Sequence, residues 1–261
     1  MPSYVGLSLE EGSGILDPVI ASGSEFSFYG LSHKLEPDLD NVENKIIEFR
    51  PTHILLAHYF GWSPKNQIEF LDLASSRKVE VIHDFAHSLW FLRDASRLEL
   101  ESQHYVFSIH KTLATNAGGA SITNLRLNQT IQLIDLSNYA ASDVEAVFRS
   151  RIDNTKHLYR QLIGIDHADF YLPFDPTSPQ VNVPLNLPVL FHDAKKRHRA
   201  YAALVEKGIT PTALYHRLVP QIDISEFPLS GLVSGTILNL PTHQDMDLGD
   251  LDQIVEILTE S

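Results

Sequence analysis

At 261 residues and 43% hydrophobic content, the chain can bury the core of one large domain or two modest ones. A formal charge of −13 with no run of Lys and Arg argues against a nucleic-acid partner, and the absence of cysteine removes disulfides, thiol nucleophiles and zinc-thiolate sites. No stretch approaches the ~20 apolar residues of a membrane helix, and Met1-Pro2-Ser3-Tyr4-Val5 lacks signal-peptide blocks, so the expectation is a cytoplasmic protein with no membrane partner.

From about Ile15 to Leu31, Gly and Ser punctuate β-prone pieces such as Glu25-Phe26-Ser27-Phe28-Tyr29, which predicts short strands and turns. Val42, Ile46, Ile47 and Phe49 share roughly one helical face behind an Asp or Asn cap, predicting a helix from Asp40 to Phe49 that Arg50-Pro51 closes. His53-Ile54-Leu55-Leu56-Ala57 is a continuous apolar run of strand length, as in a strand covered on both faces. Ser63-Pro64 offers an N-cap followed by proline at the first helical position, with Ile68, Leu71 and Ala74 spaced along the helix. Val79 to Ile82, Tyr105 to Ser108 and Gly119 to Thr123 restore the strand pattern. Strands alternating with helices predict an α/β fold with a mainly parallel central sheet flanked by helices.

Beyond Thr123 the rhythm changes. A long helix is predicted from Asp143 to Leu162, carrying Val144, Val147, Phe148, Ile152 and Leu158. A Pro-rich segment from Leu172 to Pro188 follows, then a strand at Val189-Leu190-Phe191 and a helix from Ala194 to Glu206 with Gly208 as its C-cap. A strand from Thr236 to Leu240 and a terminal helix from Leu248 to Thr259 complete the chain. The organisation read from this is a larger portion over residues 1–140, and a linking helix with a small α/β C-terminal domain over 141–261.

In an open α/β sheet, ligands gather at the carboxyl ends of the strands. Three such ends are polar here: His58-Tyr59-Phe60-Gly61, His83-Asp84-Phe85-Ala86-His87 and Ser108-Ile109-His110-Lys111. A lysine amine can hold an aldehyde as a Schiff base, and a carboxylate can keep a pyridine nitrogen protonated. Lys111 and Asp84 supply that pair, which suits pyridoxal phosphate (PLP). His87 could stand near the cofactor's phenolic oxygen, and Gly118-Gly119 would let the backbone turn closely back into a strand. Each residue also has a plainer reading: Asp84 as a cap, Lys111 as a solvated lysine, His87 and His110 as hydrogen-bonded structural histidines.

Together with the ending Leu240-Pro241-Thr242-His243, these motifs resemble, in order and spacing, the DegT/DnrJ/StrS family of PLP-dependent aminotransferases over about Pro2 to Leu258. The resemblance implies the PLP-dependent transferase fold (fold type I), and an activity that moves an amino group from a donor such as glutamate to a keto sugar, often carried on a nucleotide. It implies Lys111 as the Schiff-base lysine, Asp84 as the ring-nitrogen carboxylate, His87 near the phenolic oxygen, Ser108 as a phosphate contact, and a homodimer. Met1-Pro2-Ser3-Tyr4 resembles a mid-family strand end, so the family's phosphate-binding helix start is expected to fall before this sequence. Ser108 and Lys111 stand closer together than in the sugar aminotransferases, a spacing similar to the Ser-x-His-Lys of class V aminotransferases. The Asn-containing loop that family members lend to a neighbouring subunit is not evident between Asn124 and Ala140.

Two other readings stay open. One is a catalytically inactive, shortened PLP-fold protein acting as a partner or without activity. The other is a metal enzyme in which His53, His58, His83, His87, His104 and His110 ligate zinc or iron with Asp84, although no helical His-Glu-x-x-His occurs. His216 and Arg217 are further candidates for substrate contact.

Overall fold

The computed structural model describes residues 1–7, 14–92, 103–113, 118–123, 141–165, 169–177 and 183–260. Its first sheet has strands β1 (His53–Ala57), β2 (Glu80–Phe85), β3 (Gln103–Ser108) and β4 (Gly119–Ile122), side by side in chain order. β1, β2 and β3 run parallel and β4 returns antiparallel to β3. Parallel strands need crossovers, and the one between β1 and β2 is a helix over Gln67–Ser76. The second sheet is antiparallel, with β6 (Asn186–Phe191) between β5 (Phe170–Tyr171) and β7 (Ile237–Pro241). Every residue of β6 and β7 is buried, as expected of strands covered on both faces.

The helices in chain order are α1 (Asp17–Ala21), α2 (Leu39–Phe49), α3 (Gln67–Ser76), α4 (Ala141–Ile163), α5 (Ala194–Glu206), α6 (Pro228–Thr236) and α7 (Leu248–Glu260). The Asp38 side chain caps α2 by accepting from the Asn41 N–H, and Arg50 ends it in a left-handed conformation. Asp193 caps α5 through the Lys195 N–H, and Gly208, at φ +81°, follows its last turn. Among the described residues no helix is long and apolar enough to cross a membrane.

Two local expectations are corrected, and one helix is added. The stretch expected to be short strands contains α1, because Pro18 sits in the first helical turn, where its missing N–H costs nothing; what remains extended forms only isolated bridges such as Pro2 to Tyr29. α3 begins at Gln67 rather than behind Ser63-Pro64, since the Ser63 hydroxyl is taken by His58 Nδ1 at 3.0 Å. Its buried side is then Phe70 and Ala74, which leaves Ile68 69% exposed. The added helix is α6, in which Pro228 again occupies the first turn.

One apolar cluster joins the two sheets. Tyr4, Tyr29, Leu56, Phe60 and Phe70 share it with Leu158, Leu162, Leu187, Leu190, Leu240 and Ile254. A second cluster of Phe85, Tyr105, Phe107, Ile109 and Leu113 packs under Phe148 of α4. The first cluster thus packs β1 against β6 and β7, and the second packs the ends of β2 and β3 under α4.

Candidate active site

The parallel register pairs Ala57 with Asp84 and Phe85 with Phe107, so both strand ends reach the same edge of the sheet. After Ser108, the Ile109 N–H donates to the Gly118 carbonyl, and the Thr112 and Leu113 N–H groups both donate to the Ile109 carbonyl. This tight turn carries Lys111 to the edge that holds Asp84. A Cβ on Gly119 would stand 2.9 Å from the Phe107 carbonyl oxygen, which is why the return strand starts on glycine.

Lys111 Nζ lies 3.1 Å from His87 Nε2, and His87 Nδ1 accepts the Phe60 N–H at 3.1 Å. Asp84 Oδ1 accepts the Ala86 N–H at 2.9 Å. Burial pushes the Asp84 carboxyl above its ordinary value, while the Ala86 bond and the nearby Lys111 charge pull it back. Burial likewise lowers Lys111, opposed by Asp84, and holds His87 well below the usual imidazole range, with Lys111 adding to that effect.

The His87 ring neighbours both Phe60, at 6.0 Å and 14°, and Tyr215, at 6.3 Å and 22°, and these two stand 6.3 Å from each other, so the three rings form a triangle. Both flanking residues are in the left-handed region, Phe60 at φ 57° and Tyr215 at φ 63°. For non-glycine residues this costs on the order of 1 kcal/mol each, and such strain persists only where surrounding contacts over-determine it. Here they do: the Ser234 hydroxyl donates to the Tyr215 carbonyl at 2.8 Å, and the Leu185 N–H donates to the Phe60 carbonyl at 2.8 Å. Gly61 is held so closely that a Cβ would meet the Val183 carbonyl oxygen at 2.7 Å.

Two spaces adjoin this cluster. A cavity of about 290 Å³ opens between the sheets, bordered by Lys111, His87, Arg151, Asn186, Asn239 and His243, with Thr210, Thr212 and Tyr215 on its rim. Its polar lining is under-satisfied. The buried side chains of Arg151 (Nε), Asn186 (Oδ1) and Asn239 (both polar atoms) have no hydrogen-bond partner at those atoms, while His243 Nδ1 faces the Asp245 carboxylate at 3.6 Å. Arg151 is fixed by donating to the Leu185 carbonyl at 3.0 Å, and burial lowers it to about 10, leaving a cation at neutral pH. The second space, enclosed by Ile15, Ala57, His58, Tyr59, Asp84, His87 and Tyr215, holds only about 10 Å³.

Lys111, Asp84 and His87 are thus brought together, and they fit the amine, ring-nitrogen and phenolic-oxygen demands of PLP by their chemistry. An aromatic ring needs several times the ~30 Å³ share of one water, so side chains bordering the space at Asp84 have to move apart to admit it. Ser108 borders neither space; its hydroxyl is 3.2 Å from His110 Nδ1. His216 and Arg217 are exposed and do not border the cavity, whereas Tyr215 beside them does. His58 and His83 form part of a buried hydrogen-bonded row: Ser63 Oγ to His58 Nδ1, His58 Nε2 to His83 Nδ1 at 3.0 Å, and His83 Nε2 to Gln103 Oε1 at 2.8 Å. The loop between Asn124 and Ala140 lies outside the described residues.

Arg151, Asn186, Asn239 and Tyr215 escape the sequence reading. Asn239 carries the one usable signal, a lone amide inside the apolar run Ile237-Leu238-Asn239-Leu240.

No protein-family model matches the sequence, and no curated protein matches it. Solved structures do. A DegT DnrJ EryC1 StrS aminotransferase from Brucella abortus superposes with a TM-score of 0.73 at 15% identity, over 99% of this chain and 78% of its own. The sugar aminotransferase CalS13 from Micromonospora echinospora gives 0.70 at 14% identity, over 100% and 79%. The Bacillus subtilis protein ntda, solved with bound cofactor PMP, gives 0.71 at 15% identity, over 100% and 66%. Identities this low establish the fold and no more: the chain has the fold of the sugar aminotransferases, PLP fold type I.

Proposed function

We propose that this chain binds PLP through Lys111 and Asp84 and transfers an amino group from an amino-acid donor such as glutamate to a keto compound of the sugar class. The observation that carries the reading is the convergence of the half-buried Asp84 carboxylate and Lys111 amine at adjoining strand ends, beside a cavity in which Asn239 and single atoms of Arg151 and Asn186 lack hydrogen-bond partners. The fold shared with a sugar aminotransferase and with a PMP-bound protein supports the cofactor and the substrate class.

PLP, when bound, supplies an aldehyde for amines to condense with and a protonated ring that accepts electrons. Lys111 Nζ would hold the aldehyde, and Asp84 would keep the ring nitrogen protonated. A free Lys111 amine would serve as the base that moves a proton to and from the substrate carbon. Arg151 offers the cavity a fixed cation for a carboxylate or phosphate, and Asn186 and Asn239 offer amide groups for hydroxyls. At about 290 Å³ the cavity is at the small end for ligand sites and suits one amino acid or one sugar ring.

A second reading, an inactive protein of this fold, is favoured by the narrow space beside Asp84. Titrating the purified chain with PLP separates the two. The active reading expects a saturable visible band that Lys111→Ala removes, and amino transfer that Asp84→Ala lowers far more than Asp84→Glu. Absence of the band in the unmodified chain selects the inactive reading, and a band unchanged in Lys111→Ala sinks the assignment of the lysine.

A further inference from the structure

We infer that His53, Glu80 and His104 form a second site that binds a divalent transition-metal ion such as Zn²⁺. The site lies at the amino ends of β1, β2 and β3, opposite the strand ends that carry Asp84 and lead to Lys111.

Strand register brings the three together. His53 pairs with Glu80 across β1 and β2, and His104 pairs with Ile82, two residues beyond Glu80 on the same face of β2. Both imidazoles turn the same nitrogen inward: His104 Nε2 is 2.6 Å and His53 Nε2 is 3.7 Å from Glu80 Oε2. The ligand atoms all lie within 4.8 Å of one another.

The opposite ring nitrogens are held as well. His53 Nδ1 is 2.9 Å from the Thr52 hydroxyl and His104 Nδ1 is 2.7 Å from the Thr123 hydroxyl. This is the outer arrangement by which metal-binding histidines are oriented, with one nitrogen tied to a hydrogen-bond partner and the other free to ligate. Two imidazoles and one carboxylate suit zinc or a neighbouring first-row ion, with water completing four-coordination. Tetrahedral ligands at about 2.0 Å stand about 3.3 Å apart, so the observed separations from Glu80 of 2.6 and 3.7 Å need change by only about 0.7 and about 0.4 Å. His104 is buried and fixed, while the His53 side chain is 40% exposed and Glu80 42%, giving an ion an open approach from solvent. His58, His83 and His87 take no part, being committed to the hydrogen bonds described above.

The test uses the full chain stripped with a chelator, titrated with ZnCl₂ by calorimetry and with Co²⁺ by visible absorption. The expected result is one ion per chain, with affinity falling at least tenfold in His53→Ala and in Glu80→Gln. Both positions are exposed enough for folding to survive, which a thermal melt checks. His157→Ala, which removes a histidine paired with Asp252 elsewhere, should leave the affinity unchanged. Failure to bind one ion saturably, or binding that neither His53→Ala nor Glu80→Gln weakens, overturns the site and leaves Glu80 as a hydrogen-bond acceptor only. PLP and amino transfer are not part of the readout, so the result is independent of the function proposed for Lys111.

Discussion

The Phe60 N–H donates to Nδ1 of His87 at 3.1 Å, and this bond sets the tautomer that neutral His87 presents to Lys111. A ring nitrogen that accepts carries no proton, so neutral His87 keeps its hydrogen on Nε2, which then points at Lys111 Nζ 3.1 Å away. Only an amine with a free lone pair can accept it. Burial lowers both groups, which raises the share of neutral Lys111 at a given pH. Lys111 is therefore nucleophilic at a lower pH than a surface lysine. Brief treatment with pyridoxal and cyanoborohydride near pH 7, followed by peptide mass analysis, should modify Lys111 ahead of exposed lysines such as Lys78 and Lys207. Labelling that tracks exposure alone would contradict this state.

The buried row from Ser63 to Gln103 predicts acid sensitivity. Burial lowers His83 from 6.5 to about 4 and holds His58 well below 6.5, with His83 contributing. Between pH 6.5 and about 4 the unfolded chain binds more protons at His83 than the folded one, so stability declines as pH falls through that window. The His83 shift corresponds to about 3 kcal/mol when the window has been crossed. Urea midpoints from pH 7 to 4.5 should fall steadily, and His83→Gln should flatten that dependence even if its stability at pH 7 is lower.

Gly61 and Gly23 separate two costs that are usually mixed. Both have positive φ, +90° and +69°, but a Cβ on Gly61 would strike the Val183 carbonyl oxygen at 2.7 Å while one on Gly23 would meet nothing within 4 Å. Gly23→Ala should cost about 1 kcal/mol for backbone strain alone. Gly61→Ala should cost at least about 2 kcal/mol more, because the three nearest atoms, the Val183 carbonyl oxygen at 2.7 Å, the Leu185 nitrogen at 2.9 Å and the His87 carbonyl oxygen at 3.0 Å, are all backbone. Equal losses in denaturant unfolding would mean that the close approach at Gly61 relaxes freely.

What the sequence disclosed follows from how local each feature is. The apolar runs ending at Ala57, Ile82 and Ser108 placed three strands, and their polar successors placed Asp84, His87 and Lys111 at one edge, because strand ends and the residues after them are contiguous. β4 read as a further strand, but its antiparallel direction depends on the pairing of Tyr105 with Ile122, which periodicity does not encode. Arg151 stands mid-helix where a solvated residue is the default, and Asn186 stands among prolines; only the packing of α4 on β6 turns both into one wall. Ser63 illustrates the converse: a good capping residue is diverted to His58, a partner five residues away that only the turn after β1 brings near.

The unpartnered amide of Asn239 offers the sharpest distinction between a structural and a functional lining. Its backbone is satisfied, donating to Thr212 at 2.7 Å and accepting from it at 3.0 Å, while the fully buried side chain has no partner at either polar atom. Leaving such a group in a protein interior costs on the order of 1 to 3 kcal/mol, and an apolar residue of similar shape recovers part of that. Asn239→Leu, with the adjoining cavity to take the extra methyl volume, should therefore leave the melting temperature unchanged or raise it by a few degrees. The same change should raise the KM for the keto substrate about tenfold or more, with visible PLP absorbance retained, if the amide exists to meet a substrate hydroxyl. A lower melting temperature with an unaltered KM would instead make Asn239 a structural residue and remove it from the binding wall.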